Sequence, residues 1–215
     1  ITMVEFKENT PTISQIYQYT YSNPKLRNRF STEELKKVID TCEQQFPEYY
    51  CLFILATLTG ARLGEYSALR PCNIRTKLKK IYVDKQITRG EEVDRNKTAE
   101  STRTIDISTK VLQIIEWHID RYNIADNDLM FRADKGGKMY AKWIERKFQK
   151  LLEACGYDKK FCRVQDLRGQ YVDILHLCGV PTSYISRQVG HSSTHVTERV
   201  YTQILKELSD EGDTK

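Results

Sequence analysis

Apolar residues recur along the chain at helical spacing in several stretches and at alternating spacing in two. Following Arg29-Phe30-Ser31, where Ser31 or Thr32 can cap a helix and Glu33 and Glu34 fall in its first turn, Leu35, Val38, Ile39 and Cys42 share one helical face. Tyr49 to Leu58 is nearly all apolar, which predicts a helix buried on every side and stopped at Gly60. Lys80-Ile81-Tyr82-Val83-Asp84 and Thr102-Arg103-Thr104-Ile105-Asp106-Ile107 alternate, and a polar stretch with Gly90, Asn96 and Lys97 separates them, so the two predict a small antiparallel sheet. Helical spacing then returns. Val111, Leu112, Ile115 and Ile119 mark one helix, and Trp143, Ile144, Phe148, Leu151 and Leu152 a second that ends at Gly156. Leu167, Tyr171, Ile174, Leu175 and Cys178 mark a third, ended by Gly179. Pro181 opens a short helix that Gly190 breaks, and a last helix carries Val196, Val200 and Ile204. The expected fold is mostly α with a small antiparallel β-sheet. Residues 1–28 are polar and weakly periodic, with Pro11 and Pro24 as breakers, and read as a linker from an upstream domain; residues 29–215 form the compact domain.

Composition narrows this picture only a little. The 215 residues suit one domain, and a hydrophobic share of 40% is enough for a core. A net charge of +5 permits a polyanionic partner without demanding one. The six cysteines form no C-x-x-C pair and mostly sit in apolar stretches, which predicts buried free thiols in a reducing, cytoplasmic setting and no zinc site. No apolar run has the length of a membrane span, so a membrane partner is not expected.

Candidate chemistry lies in four islands. They are Thr59-Gly60-Ala61-Arg62-Leu63-Gly64-Glu65, Asn96-Lys97-Thr98, Gln165-Asp166-Leu167-Arg168, and Val189-Gly190-His191-Ser192-Ser193 with Tyr201 ten residues after His191. In order they supply Arg, Lys, Arg, His and Tyr. This set resembles the active site of the tyrosine recombinase (phage integrase) family, over roughly residues 30–205, with a general look nearest to integrases of phages and conjugative transposons. The Thr-Gly-x-Arg-x-x-Glu piece and the Gly-His-Ser-Ser piece are specific together, though each alone is weak.

The resemblance implies the tyrosine recombinase catalytic-domain fold and attack by Tyr201 on a DNA phosphodiester. The products are a 3′-phosphotyrosyl link and a free 5′ hydroxyl, and strand exchange and rejoining need neither metal nor cofactor. Negative charge builds on the non-bridging oxygens, and planar guanidiniums meet it with two-pronged hydrogen bonds, a task the resemblance gives to Arg62 and Arg168. Arg62 directly follows an apolar helix, where an unpaired charge is costly, and Glu65 three residues on is placed to pair with it. His191 is implied to hydrogen-bond the phosphate. Lys97 is implied as general acid for the leaving 5′ oxygen, with Lys85 a weaker competitor. His118 and His176 read as structural. One position departs from the family: Gln165 stands where a His or Lys is usual, and an amide donates a hydrogen bond but takes up no proton near neutral pH.

The implied partners are double-stranded DNA, further copies of the chain in a tetramer on DNA, and accessory DNA-bending proteins. An upstream DNA-binding domain would complete a clamp, and the acidic tail Glu207–Asp213 would dock on a neighbouring subunit or fray. Two other readings stay open at this point: a type IB topoisomerase, which shares tyrosyl chemistry, and a relative that binds DNA after losing catalysis, for which Gln165 is the best support.

Overall fold

A computed structural model describes residues 29–94, 103–134 and 136–190. Seven α-helices and five short strands make up these residues, joined in two places by single 3-10 turns. Helix α1 (Thr32–Gln45) begins at Ser31, whose hydroxyl accepts the Glu34 N–H while the Glu34 carboxylate accepts the Ser31 N–H at 2.7 Å, so two otherwise unpaired donors are satisfied reciprocally. Pro47 opens α2 (Pro47–Thr59) and costs nothing there, since a first-turn N–H has no helical partner.

Every residue of α2 from Tyr49 to Thr59 except Tyr50 is buried, so it is the axis of the domain. Packed around it are α1, α4 (Thr109–Arg121) and α6 (Val164–Leu177), with α5 (Ala141–Ala154) closing against α1. This burial explains why α2 carries apolar residues on all faces while α1 and α4 carry a single stripe. Between α6 and α7 (Thr182–Val189), Tyr171, Val172, Leu175, Val180, Tyr184, Ile185 and Val189 form a smaller cluster of their own. None of the described helices is long and apolar enough to cross a membrane.

The two alternating segments pair antiparallel as expected, with Ile81 opposite Ile105 in β2 (Lys80–Val83) and β5 (Arg103–Asp106); β1 (Ile74–Arg75) adds a third strand. The polar stretch between them is not all loop. It holds a hairpin of its own, β3 (Lys85–Thr88) and β4 (Glu91–Asp94), turned by Arg89 and Gly90, both with positive φ. Among the described residues the strands therefore form two sheets rather than one. Of the cysteines, Cys42, Cys51, Cys155 and Cys162 are buried, whereas Cys72 is exposed. His118 is buried with Nε2 3.1 Å from the Met130 carbonyl, and desolvation holds its pKa below the usual imidazole value.

Candidate active site

The site is built at the C-terminal end of α2. The helix stops because Gly60 turns into the left-handed region (φ 60°), and the Thr59 hydroxyl bonds back to the Leu55 carbonyl and lies 2.9 Å from the Tyr66 hydroxyl. A side chain at Gly60 would put a Cβ 2.6 Å from the Tyr171 ring and 2.9 Å from Val189, so α6 and α7 close directly onto this turn. The chain then enters α3 (Leu63–Ala68), with Arg62 immediately before it and Glu65 in its first turn.

Arg168 comes from the second turn of α6. The residue is 7% exposed, and its Nη1 donates to two main-chain carbonyls, Gly60 and Val189, the latter at 2.7 Å. Arg62 reaches the same place from the other side, its Nη2 donating to the Gly190 carbonyl at 2.6 Å. Two arginines 106 positions apart in sequence are thus both fastened to residues 189–190, immediately before His191. Burial pushes the Arg168 pKa down to about 10, and the neighbouring positive charges of Arg62 and Arg103 push the same way against Glu65. The group stays charged at neutral pH.

Glu65, 3% exposed, was expected to pair with Arg62. It does so mainly through the main chain: its carboxylate accepts the Arg62 N–H at 2.8 Å, while Arg62 Nη1 lies 3.4 Å away. Its strong partner is Arg103, the first residue of β5, which makes both prongs at 2.8 and 2.7 Å with a side chain only 8% exposed. Arg103 Nε also donates to the Gln188 carbonyl at 3.2 Å. Two guanidiniums, Arg103 and Arg62, therefore contact one carboxylate with Arg168 close by, and among the described residues the cluster carries excess positive charge that faces solvent through Arg62, whose side chain is 36% exposed.

Two further contacts hold the frame. The Gln188 side-chain amide pairs with the main chain of Asp106, accepting at 3.1 Å and donating at 2.7 Å, which ties α7 to β5. Gly64 lets β3 pass close over α3, since a Cβ there would lie 2.8 Å from the Ile87 carbonyl oxygen. Arg70 clamps that hairpin through Glu92 at 2.7 Å, and the same hydrogen bond is the main reason the Glu92 pKa is lowered.

Of the residues singled out in the sequence, Arg62 and Arg168 are brought together. Gln165 is exposed in the first turn of α6, three positions before Arg168 and so on the same side of the helix. Lys85 pairs with Glu92 at 3.1 Å. Lys97, His191, Tyr201, the last expected helix, the acidic tail and residues 1–28 lie outside the described residues. Arg103 and Gln188 were missed by sequence reasoning.

A helical domain with small antiparallel sheets and arginines converging at the end of its central helix defines a class, and comparison with known proteins names it. The phage integrase family model matches residues 28–207, and the chain belongs to that family. Among characterised relatives, a tyrosine recombinase XerC-like protein of Caldanaerobacter subterraneus subsp. tengcongensis is 24% identical over 200 residues, covering 82% of this chain and 50% of that protein. An integrase of Streptomyces ambofaciens is 29% identical over 182 residues, covering 76% and 46%. The chain thus spans about half the length of these relatives. In fold it is similar to the Tn1549 transposon integrase solved with a circular intermediate DNA (TM-score 0.71, 17% identity, 83% of this chain and 62% of that one). It is also similar to XerA recombinase (TM-score 0.67, 19% identity, 90% and 66%).

Proposed function

We propose that this chain is the catalytic part of a site-specific DNA recombinase that integrates or excises a mobile element. The observation that carries this reading is the convergence of Arg62 and Arg168 on residues 189–190, with more positive charge than Glu65 neutralises. Such a cluster suits an anion that gains charge during reaction, as a phosphodiester under attack does. Tyr201 attacks phosphorus while its phenolic proton passes to water, the bond from phosphorus to the 5′ oxygen breaks, and Lys97 supplies the proton that makes the departing group a hydroxyl. His191 and the two arginines hold the non-bridging oxygens. Attack by a 5′ hydroxyl of a partner strand reverses the step, so the phosphotyrosyl bond conserves the energy for rejoining. Gln165, exposed beside Arg168, donates a hydrogen bond where a proton acceptor is usual.

Residues 29–215 form this catalytic domain, and residues 1–28 link it to an upstream DNA-binding part. The enzyme works on double-stranded DNA as a tetramer, with DNA-bending proteins as accessories. The integrase match does not favour the topoisomerase alternative. The direct test is Tyr201→Phe on a nicked suicide substrate, in which the cleaved end diffuses away. The variant is expected to fold and bind DNA, because one hydroxyl is lost, and to form no covalent adduct. An ordinary adduct yield from Tyr201→Phe overturns the assignment.

A further inference from the structure

Arg103 touches three of the segments that the proposed chemistry depends on. Its two-pronged contact occupies both oxygens of Glu65, the carboxylate that also fixes the Arg62 main chain. Its Nε holds the Gln188 carbonyl, and its guanidinium lies over Gly190, where a Cβ would come within 2.7 Å of it. Gly190 is therefore needed twice, for a positive φ of 70° and for this close approach, and it directly precedes His191. Arg103 itself opens β5, six residues after Lys97 in the sequence. One buried guanidinium thus joins the Arg62 turn, the first residue of β5 and residues 188–190.

We propose that Arg103 is a positioning residue of the cleavage reaction: by saturating Glu65 it leaves the guanidinium of Arg62 available to phosphate, and by gripping residues 188–190 it holds the Gly190 carbonyl to which Arg62 is fastened. The inference rests on the function proposed above. Its physical basis is a competition for one carboxylate. With Arg103 in place, Arg62 Nη1 stands 3.4 Å from Glu65, too far for a strong charged hydrogen bond. Without Arg103, a nearly buried carboxylate loses its two-pronged contact, and the guanidinium of Arg62, already 3.4 Å away, is drawn toward the freed oxygens. Arg62 then turns inward and its outer edge is lost to the phosphate. A lysine at 103 offers a point charge rather than a fork, so it satisfies one oxygen of Glu65 and leaves the other for Arg62.

The experiment compares the parent with R103K, R103M, E65Q and the R103M/E65Q pair, each confirmed as folded by thermal melting. The first readout is single-turnover adduct formation on the nicked substrate across DNA concentrations. The plateau rate of R103K and R103M is expected to fall by about tenfold to a hundredfold, the scale for loss of an oriented anion-binding group. The half-saturating DNA concentration stays within about threefold, because many other phosphate contacts carry the binding. Removing the carboxylate removes the competition, so R103M/E65Q is expected to cleave no slower than E65Q. The second readout is the rise in melting temperature caused by inorganic phosphate, expected for the parent and absent for R103M. R103K or R103M cleaving at the parental rate overturns the proposal, as does R103M/E65Q losing the full product of the two single effects. The phosphate readout needs no Tyr201 chemistry. A parent stabilised by phosphate that forms no adduct sinks the proposed reaction, and the clamp is then judged on whether R103M loses that stabilisation.

Discussion

Gln165 stands where the family resemblance implies a His or Lys, and its exposure at the start of α6 makes it open to substitution. Gln165→His introduces an imidazole of ordinary pKa about 6.5, which the positive charge of Arg168 three residues away pushes down. At neutral pH that imidazole is uncharged and accepts a proton from the attacking tyrosine, which an amide cannot. Adduct formation by Gln165→His is therefore expected to be faster than the parent's near pH 8, and the gain to vanish as acid charges the ring, with Gln165→Ala as baseline. If both variants are slower than the parent at every pH, the amide is fitted to its place as a donor. Arg62 and Arg168 were legible in the sequence because each stands where apolar neighbours leave a charge in need of a reason. Arg103 was not, because one arginine among alternating residues reads as solvated. Yet its parity was informative: Arg103 and Ile105 share one face of β5, Ile107 just past the strand continues the alternation, and the two isoleucines are buried. Gln188 gave no comparable signal, since a polar residue late in a short helix is ordinary until β5 is seen to lie against it.

Among the elements, the apolar run of α2, its stop at Gly60 and the stripes of α4, α5 and α6 were readable from spacing alone, because burial on one or all sides leaves a periodic trace. The β3–β4 hairpin left almost none. Each of its strands has a single apolar residue, Ile87 and Val93, and its turn is Arg-Gly rather than Asn-Gly. What holds it is tertiary: the close pass over Gly64 and the Arg70–Glu92 ion pair. This sets up a conflict between local and tertiary preference. In a helix, Gly→Ala usually stabilises by up to about 1 kcal/mol. At Gly64 the added methyl meets the Ile87 carbonyl oxygen at 2.8 Å, a backbone atom that moves only if the hairpin moves. Gly64→Ala is therefore expected to lower the melting temperature and to slow adduct formation, since the hairpin leads into the stretch holding Lys97. A melting temperature at or above the parent's shows that β3 yields without cost.

For the molecule as a whole, the recombinase function proposed above and a net charge of only +5 predict a modest electrostatic grip on DNA. Binding is expected to be weak and to fall steeply between low and physiological salt, because displaced counterions supply most of the drive. Measured affinities that stay tight and sequence-selective across that range contradict so modest a grip. How such a domain responds to whatever lies ahead of residue 29 depends on where the chain enters the fold. Phe30 sits among Phe148, Tyr157 and Phe161, its main chain exchanges hydrogen bonds with the Gln170 side chain, and Arg29 grips Asp173 at 2.7 Å across the bare surface of Gly169. All of these anchor points on α6 lie within five residues of Arg168. Tension applied to the chain from upstream is therefore borne first by the helix that carries this arginine, and only afterwards by α1, which follows in sequence. Traction on the chain ahead of Arg29 would thus load α6 directly, and the setting of Arg168 would change with it as one mechanical variable.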